Sequence, residues 1–306
     1  MSISKNRGAD KFFNRGLILI NAYSSLDTAL NQPQRLKEEL SALGVQADIV
    51  RNGAFPLCVN GFGEIAGGAE GYDFCVYLDK DKYCSQLLEK SGLRLFNSHS
   101  AIRACDDKAV THILLSQNGI PMPATVFGLL CYDETAPVCV EYLDKVERAI
   151  GYPVIIKESY GSLGKGVYKA DNRVQLENFA NKLKLTPHIF QRFIKESAGK
   201  DARVIVIGGK VVAAMKRVSN KDFRSNIELG GKGEKFDCPA DMARLCVKTA
   251  QILGLEYCGI DVLFGKDGYY ICDVNSNAFF GGIERVTGVN VAKAYARHIC
   301  NEIYGG

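Results

Sequence analysis

The sequence predicts a mixed α/β protein of two to three small domains. Three observations carry that expectation. The first third alternates short apolar runs with amphipathic helical patterns, which implies a parallel sheet with helices on its faces. Residues 121–185 read as a small α+β unit built around a Gly-rich hairpin. From about 186 onward, long β-type runs joined by short Gly-bearing turns imply a mostly antiparallel sheet crossed by helices. A length of 306 residues with 47% apolar side chains supports cores of that number.

Residues 1–14 are polar, with Lys5, Arg7 and Lys11, and Arg15 just beyond, as solvated charges; a loose tail is expected there. The run 16–22 is a buried-type strand. A helix is expected over 33–43, with Asn31 as cap, Pro33 in its first turn and Gly44 just past its end. Strands follow at 45–50, 73–78 and 93–96, with a helix at 83–90 and another over 107–117 that stops before Asn118-Gly119. The middle unit holds a strand near 124–127 and helices near 141–150 and 174–182. Further helices are expected near 239–253 and 289–299. The stretch 219–238, rich in Gly, Lys and Asn, is the least regular and reads as an active-site loop.

Composition narrows the function. A net charge of +4 without a basic run speaks against nucleic acid. Eleven cysteines, an odd number with no Cys-x-x-Cys pair, suggest neither a disulfide framework nor a zinc site. Cys75, Cys258 and Cys272 lie in apolar runs and read as small core residues, a usage that fits a reducing cytoplasm. No signal peptide or membrane-spanning run is evident, so a cytoplasmic protein without membrane contact is expected. His99, His112, His188 and His298 do not cluster in sequence and are expected to be structural.

Two constellations carry chemistry. Around Lys266-Asp267-Gly268, two apolar runs read as a hairpin. With a three-residue loop centred on Asp267, Asp261 faces Asp273, and Asn275 shares their side of the sheet. Facing carboxylates repel, and a divalent cation would remove that objection. Oxygen donors of this kind suit Mg²⁺, which takes one or two protein carboxylates plus phosphates. The second constellation is the strand 152–157 ending in Lys157, followed by Gly161-Ser162-Leu163-Gly164-Lys165-Gly166. Glycines so spaced let backbone N–H groups approach phosphate oxygens. The loop is not a Walker loop, because Gly166 follows Lys165 where Ser or Thr is needed, and no helix pattern follows to make it a dinucleotide fingerprint.

With these motifs, the chain resembles an ATP-grasp ligase of the RimK type, best over about 97–296. The resemblance is carried by Cys105-Asp106-Asp107-Lys108, the Lys157 strand and its Gly loop, Phe190-Gln191-Arg192-Phe193-Ile194-Lys195-Glu196 and Gly199-Lys200-Asp201-Ala202-Arg203. Further matches are Gly209 to Arg217, Asp222-Phe223-Arg224-Ser225-Asn226 and Asp273-Val274-Asn275-Ser276-Asn277. The sequence departs from the family where Asp273 replaces the usual Glu, and where Ala278-Phe279-Phe280 replaces a Ser-Pro-Gly-like turn; the two phenylalanines point to a different acceptor pocket or lid contact.

The resemblance implies an ATP-grasp fold behind an N-terminal Rossmann-like domain, divided at 15–120, 121–185 (the lid) and 186–306. It implies that Lys108, Lys157, Gly161, Ser162, Gly164 and Gly166 hold ATP phosphates, that Gln191, Phe193 and Ile194 form the adenine hinge, and that Glu196 accepts from the ribose. Asp261, Asp273 and Asn275 would hold Mg²⁺, as two ions, with Mn²⁺ as a substitute. Arg203, Arg217 and Asn226 would be catalytic, with Arg224 beside them. Guanidinium groups suit phosphoryl and acyl-phosphate charge. A two-residue turn at Gly208-Gly209 would put Arg203 and Arg217 on opposite faces, and a longer one would align them. No fixed acid beyond the metal-site ones is evident near Arg217, so a transient phosphate partner is expected. The implied reaction joins an amino acid such as glutamate to a small-molecule or peptide carboxylate through an acyl phosphate, and it leaves a homo-oligomer open. The alternatives are a phosphotransferase on the same fold and a non-catalytic ATP-binding regulatory module.

Overall fold

Apolar runs and turn residues set out two packed units. The computed structural model describes residues 14–24, 27–54, 57–162 and 164–305, so all but the last residue of the expected tail at 1–14 lies outside the described residues. The first unit comprises 1–99 with 295–306, and the second 100–294.

In the first unit the order is β1 (Arg15–Ile20), α1 (Asp27–Ala42), β2 (Gln46–Arg51), a short hairpin of β3 (Cys58–Val59) and β4 (Ile65–Ala66), β5 (Phe74–Leu78), α2 (Lys82–Lys90) and β6 (Arg94–Phe96). The four long strands form a parallel sheet in the order β2-β1-β5-β6. Leu17, Ile18, Leu19, Phe74, Cys75 and Val76 are all fully buried, as continuous apolar strands of a parallel sheet require. Helix α1 starts earlier than expected and places Pro33 inside it, not in its first turn. The fully buried Leu36 and Leu40 anchor it, and tertiary burial outweighs a local preference.

The second unit contains α3 (His99–Asp106, its first residue in the first unit), α4 (Lys108–Leu115), β7 (Thr125–Phe127), α5 (Val140–Ile150), β8 (Val154–Glu158), β9 (Val167–Ala170), α6 (Arg173–Leu183) and β10 (His188–Arg192). There follow β11 (Lys200–Ile207), β12 (Lys210–Val218), β13 (Lys232–Lys235), α7 (Ala240–Ile252), β14 (Tyr257–Gly265), β15 (Gly268–Asn275) and α8 (Gly281–Thr287). Helix α9 (Val291–Tyr304) starts here and returns to the first unit from Tyr295. Two antiparallel sheets result, ordered β7-β10-β8-β9 and β13-β12-β11-β14-β15. Helices α3 and α4, which the sequence reading joins to the first domain, supply Ala101, Ala104, Cys105 and Leu115 to the core under the five-stranded sheet. Helices α3 and α8 and the strands β3, β4 and β13 are absent from the sequence reading. Each is eight residues or shorter, too short for a periodic signal. Strand β13 lies within the stretch read as irregular and is drawn into the sheet by pairing with β12.

One face of the five-stranded sheet carries an apolar core, with Lys216 and Glu234 on the same side toward the β13 edge. Ala202, Val204, Val206, Ile260, Val262 and Val274 pack there against Met242, Cys246 and Ala250 of α7. Ile260→Ala should therefore cost about 3 kcal/mol by transfer and cavity terms together. A denaturant titration should show the midpoint fall with an unchanged slope.

Candidate functional site

The opposite face of the same sheet is charged, and register explains how. Strand β15 folds back on β14 through a two-residue turn, with Gly265 paired to Gly268, not through the three-residue loop expected. Pairing then slips by one residue: Val262 faces Ile271, but Asp261 faces Asp273, leaving Cys272 in a bulge. The bulge restores the expected opposition of the two acids and pairs Asn275 with Gly259. The β11–β12 hairpin repeats the device. Ile207 pairs with Lys210 across a two-residue turn, and a slip at Val212 sets Arg203 against Met215 and Asp201 against Arg217. Without the slip the two arginines would lie on opposite faces; with it they share one.

On that face the charges form a chain. Arg217 donates from Nε to Asp201 Oδ1 at 2.7 Å and from Nη2 to Asp201 Oδ2 at 2.5 Å. The same Nη2 lies 2.9 Å from Asp261 Oδ1. Arg203 reaches Asp261 from the other side, Nε to Oδ1 at 2.5 Å and Nη2 to Oδ2 at 3.1 Å. Exposure is 3% for Arg217, 6% for Asp261 and 7% for Asp201. Burial alone would raise the pKa of Asp261, but Arg203 and Arg217 outweigh it and hold the carboxyl below its usual range. Burial would lower Arg217, and Asp261 and Asp201 keep it firmly protonated. A side chain at Gly259 could not coexist with this arrangement: a Cβ there would lie 2.8 Å from Arg203 Nη1 and 2.4 Å from Ala278 Cβ.

Two expectations are corrected. Arg217 has a fixed acidic partner, Asp201, which the sequence reading did not pair with it because the two are 16 residues apart and meet only through the slipped register. The facing acids Asp261 and Asp273 do not need a metal to coexist, because Arg203 and Arg217 already bracket Asp261.

Lys157 enters from β8. It is 7% exposed, and its Nζ lies 3.3 Å from Cys272 Sγ. Burial would lower its pKa, but Cys272 and Asp273 outweigh that and raise it. Lys108, also buried, donates from Nζ to the Gly161 carbonyl at 2.9 Å, so it braces the Gly-rich loop and is not an idle surface lysine. Arg224 is held by both oxygens of Asp222 and donates to the Gly164 carbonyl at 2.7 Å. Gly164 has φ +73°, and a Cβ there would lie 2.8 Å from Leu229 and 3.1 Å from Asn226 Oδ1. Asn226 and the loop are thus in contact. Ser162 is exposed at the loop's tip.

The remaining residues are less convergent. Gln191 is buried, and its Nε2 donates to Thr125 Oγ1 at 3.0 Å and to His112 Nε2 at 2.9 Å. Phe193 and Ile194 are half-buried; Phe193 packs edge-on to Phe223, with Lys169 over its ring. Glu196 sits half-buried in a single 3-10 turn, Lys195–Ser197. A pocket is lined by Lys108 and His112 from α4 and by Cys272 and Asp273 from β15. Asp201, His112 and Cys272 were not picked out as site residues. The alternation of Asp201 with Arg203 was the one readable signal, since residues two apart share a strand face.

Among the described residues no three His, Cys, Asp or Glu side chains form a metal cluster. Asp261, Asp273 and Asn275 instead offer two carboxylates and one amide oxygen on adjacent strands. Asp261 Oδ1 is buried and accepts no aligned hydrogen bond, although two guanidinium groups lie close to it. Two carboxylates and an amide oxygen are hard donors of the kind Mg²⁺ takes, and a cation at Asp261 would share that carboxylate with both guanidinium groups.

His112 sets a pH dependence. Burial, then the nearby Lys157, pushes its pKa from 6.5 down to about 4. Between those values the unfolded chain binds the proton and the folded one does not. Stability is therefore complete above pH 6.5 and lost as pH falls toward 4, by about 3.5 kcal/mol (2.5 pH steps at about 1.4 each). Denaturant titrations at pH 7, 5.5 and 4.5 should show this decline, and His112→Phe should flatten it.

Comparison with known proteins agrees with this geometry. A family model described as the RimK-like ATP-grasp domain matches residues 105–299. N-acetylaspartylglutamate synthase A of Homo sapiens is 34% identical over 219 residues, covering 71% of this chain and 54% of the synthase. This chain thus spans about half the length of that relative. A probable alpha-L-glutamate ligase 2 of Hahella chejuensis is 33% identical over 221 residues, 71% of this chain and 70% of that protein. The solved structure of the ATP-grasp ligase PsnB, complexed with minimal precursor, Mg and ADP, superposes with a TM-score of 0.68 over 96% of this chain and 99% of that one. At 18% identity that likeness is one of fold. On the family match and the fold together, the chain belongs to the RimK-like ATP-grasp family.

Proposed function

We propose that this protein is an ATP-dependent ligase that forms an amide between a carboxylate acceptor and an amino acid, with glutamate the first amine to test. The observation that carries the reading is the one-sided array of buried Arg217 and Asp261 with half-buried Arg203 and Asp273, faced by Lys157 from the neighbouring sheet. Such an array suits the transfer of a highly charged phosphoryl group, which needs positioning and charge neutralisation more than a protein nucleophile. The glutamate-ligating relatives supply the substrate class.

In this reading the acceptor carboxylate attacks the γ-phosphate of ATP, ADP leaves as the acyl phosphate forms, and Arg203 neutralises the equatorial oxygens. The amine then attacks the acyl phosphate, and phosphate leaves. Lys157 holds phosphate oxygens, with Lys108 its counterpart on the other side of the nucleotide, and Gln191, Phe193, Ile194 and Glu196 line the nucleoside end. The lid, 121–185, excludes water through the loop that Lys108 and Arg224 tether. Asn226, whose side chain lies beside Gly164, is assigned to the phosphate or substrate. Asp261, Asp273 and Asn275 hold Mg²⁺, or Mn²⁺ in its place, which when bound offsets phosphate charge.

The deciding experiment is phosphate release from ATP across a panel of amino acids and carboxylate metabolites, with mass spectrometry of products. Release should require both an acid and an amine, and hydroxylamine as the amine should give a hydroxamate. Phosphate transfer to any accepted acid without a hydroxamate would point to a phosphotransferase. Asp273→Asn should abolish turnover, and unchanged activity at saturating Mg²⁺ would sink the assignment of that carboxylate. Gly164→Val should raise the KM for ATP several-fold while the thermal midpoint shifts little, because the added side chain meets the far end of the exposed Leu229 side chain. A collapsed midpoint with normal ATP affinity would make the loop a plain structural turn.

A further inference from the structure

The Gly-rich loop hangs from one sheet and is fastened to the other. It leaves β8 and re-enters β9 of the four-stranded sheet, whereas the segment 219–226 follows β12 of the five-stranded one. Two cations take the loop's carbonyls: Lys108 Nζ at Gly161, 2.9 Å away, and Arg224 Nη1 at Gly164, 2.7 Å away. They are not committed alike. The Lys108 ammonium is a point charge on a flexible stem and can turn to another acceptor. Arg224 is forked onto Asp222, with Nε 3.0 Å from Oδ1 and Nη2 2.8 Å from Oδ2. A planar guanidinium forked in this way has Nη1 left to aim, and it aims at the Gly164 carbonyl.

The fork has its own footing. The Arg224 backbone N–H also donates to Asp222 Oδ1, and Ser219 Oγ accepts from the N–H groups of Lys221 and Asp222. Gly199, beside the start of β11, donates to the Phe223 carbonyl at 2.9 Å and accepts from the Ser219 N–H at 2.7 Å. Asp222 is thus fixed to the five-stranded sheet. The hydrogen bonds from Arg224 hold its carboxyl below the usual carboxylate range, so it stays ionised at neutral pH.

We propose that Asp222 is a positioning residue that aims Arg224, and that Arg224 is the latch that keeps the Gly-rich loop closed across the two sheets during turnover. The inference rests on the loop being the lid over bound ATP. Phosphate can draw Lys108 away from the Gly161 carbonyl, but Arg224, with its other donors held by Asp222, stays on Gly164. Without the latch the loop opens, and water attacks the acyl phosphate, returning the acceptor acid and phosphate with no amide formed. Loss of Asp222 acts only through Arg224.

The test is trypsin cleavage of the full chain after Lys165, which is exposed in the loop, read by mass with and without saturating AMPPNP and Mg²⁺. Where the loop opens and closes faster than it is cut, the rate follows the open population. With AMPPNP bound, Arg224→Met should be cut about tenfold faster than wild type, as expected for one lost hydrogen bond from a charged donor. Asp222→Asn should also be cut several-fold faster, but in the Arg224→Met background it should add less than about twofold. Arg224→Lys, which keeps a donor and loses the fork, should fall between Arg224→Met and wild type. Phosphate released per amide formed should rise in Arg224→Met while the thermal midpoint moves little, a split that general destabilisation would not give. Arg224→Met cut at the wild-type rate would overturn the latch. Equal acceleration by Asp222→Asn in both backgrounds would overturn its positioning role. If Arg224→Met does not fold, Asp222→Asn decides alone, and its cleavage at the wild-type rate overturns the proposal. A wild-type loop that AMPPNP does not protect would instead bring down the lid reading itself, and this inference with it.

Discussion

Burying four charged side chains on one face of a sheet is the constraint around which the second unit is organised. Taking ions out of water costs several kcal/mol each unless they are paired and hydrogen-bonded. Asp201, Arg217, Asp261 and Arg203 meet that demand as an alternating chain in which every charge has an opposite neighbour. Such a chain is weak evidence for stability, because apolar replacements of similar volume are often no worse. Its presence opposite the apolar core of the same sheet argues that it is kept for chemistry. The sheet is amphipathic: one side packs on α7, and the other concentrates charge.

That division depends on two single-residue slips. A strand has a side-chain period of two, so a one-residue shift moves every side chain to the other face. The slips at Cys272 and Val212 each follow a two-residue turn and each reverse the parity the turn would impose. The bulge at Cys272 has a second effect, since it brings the sulfur to the Lys157 ammonium and helps seat a buried lysine. The lid loop is fastened by cations too: the Lys108 and Arg224 side chains take the carbonyls of Gly161 and Gly164.

Much of the fold was legible in the chain. The parallel sheet of the first unit follows from its uninterrupted apolar strands, and the helices of the second from their periodicity and caps. The acidic hairpin was readable because Asp261 and Asp273 interrupt runs that are otherwise apolar. The elements that escaped are short ones, such as α8 and β13, whose pairing is decided by neighbours. Helix α1 began earlier than Pro33 suggested because Leu36 and Leu40 bury against the sheet. Asp201 escaped as a partner because hydrogen-bond partners across a hairpin are set by register, and no propensity scale encodes a bulge.

By itself the sequence determined which residues carry charge into apolar surroundings, the Gly spacing of the loop, and the family those motifs resemble. These are local facts of composition and period, readable one segment at a time. Only the tertiary structure decided which charges meet. It paired Arg217 with Asp201, joined Arg203 to Asp261, and set Lys157 against Cys272. The reason is geometric: ion pairing depends on a few ångströms across strands, and those ångströms are set by where two hairpins slip.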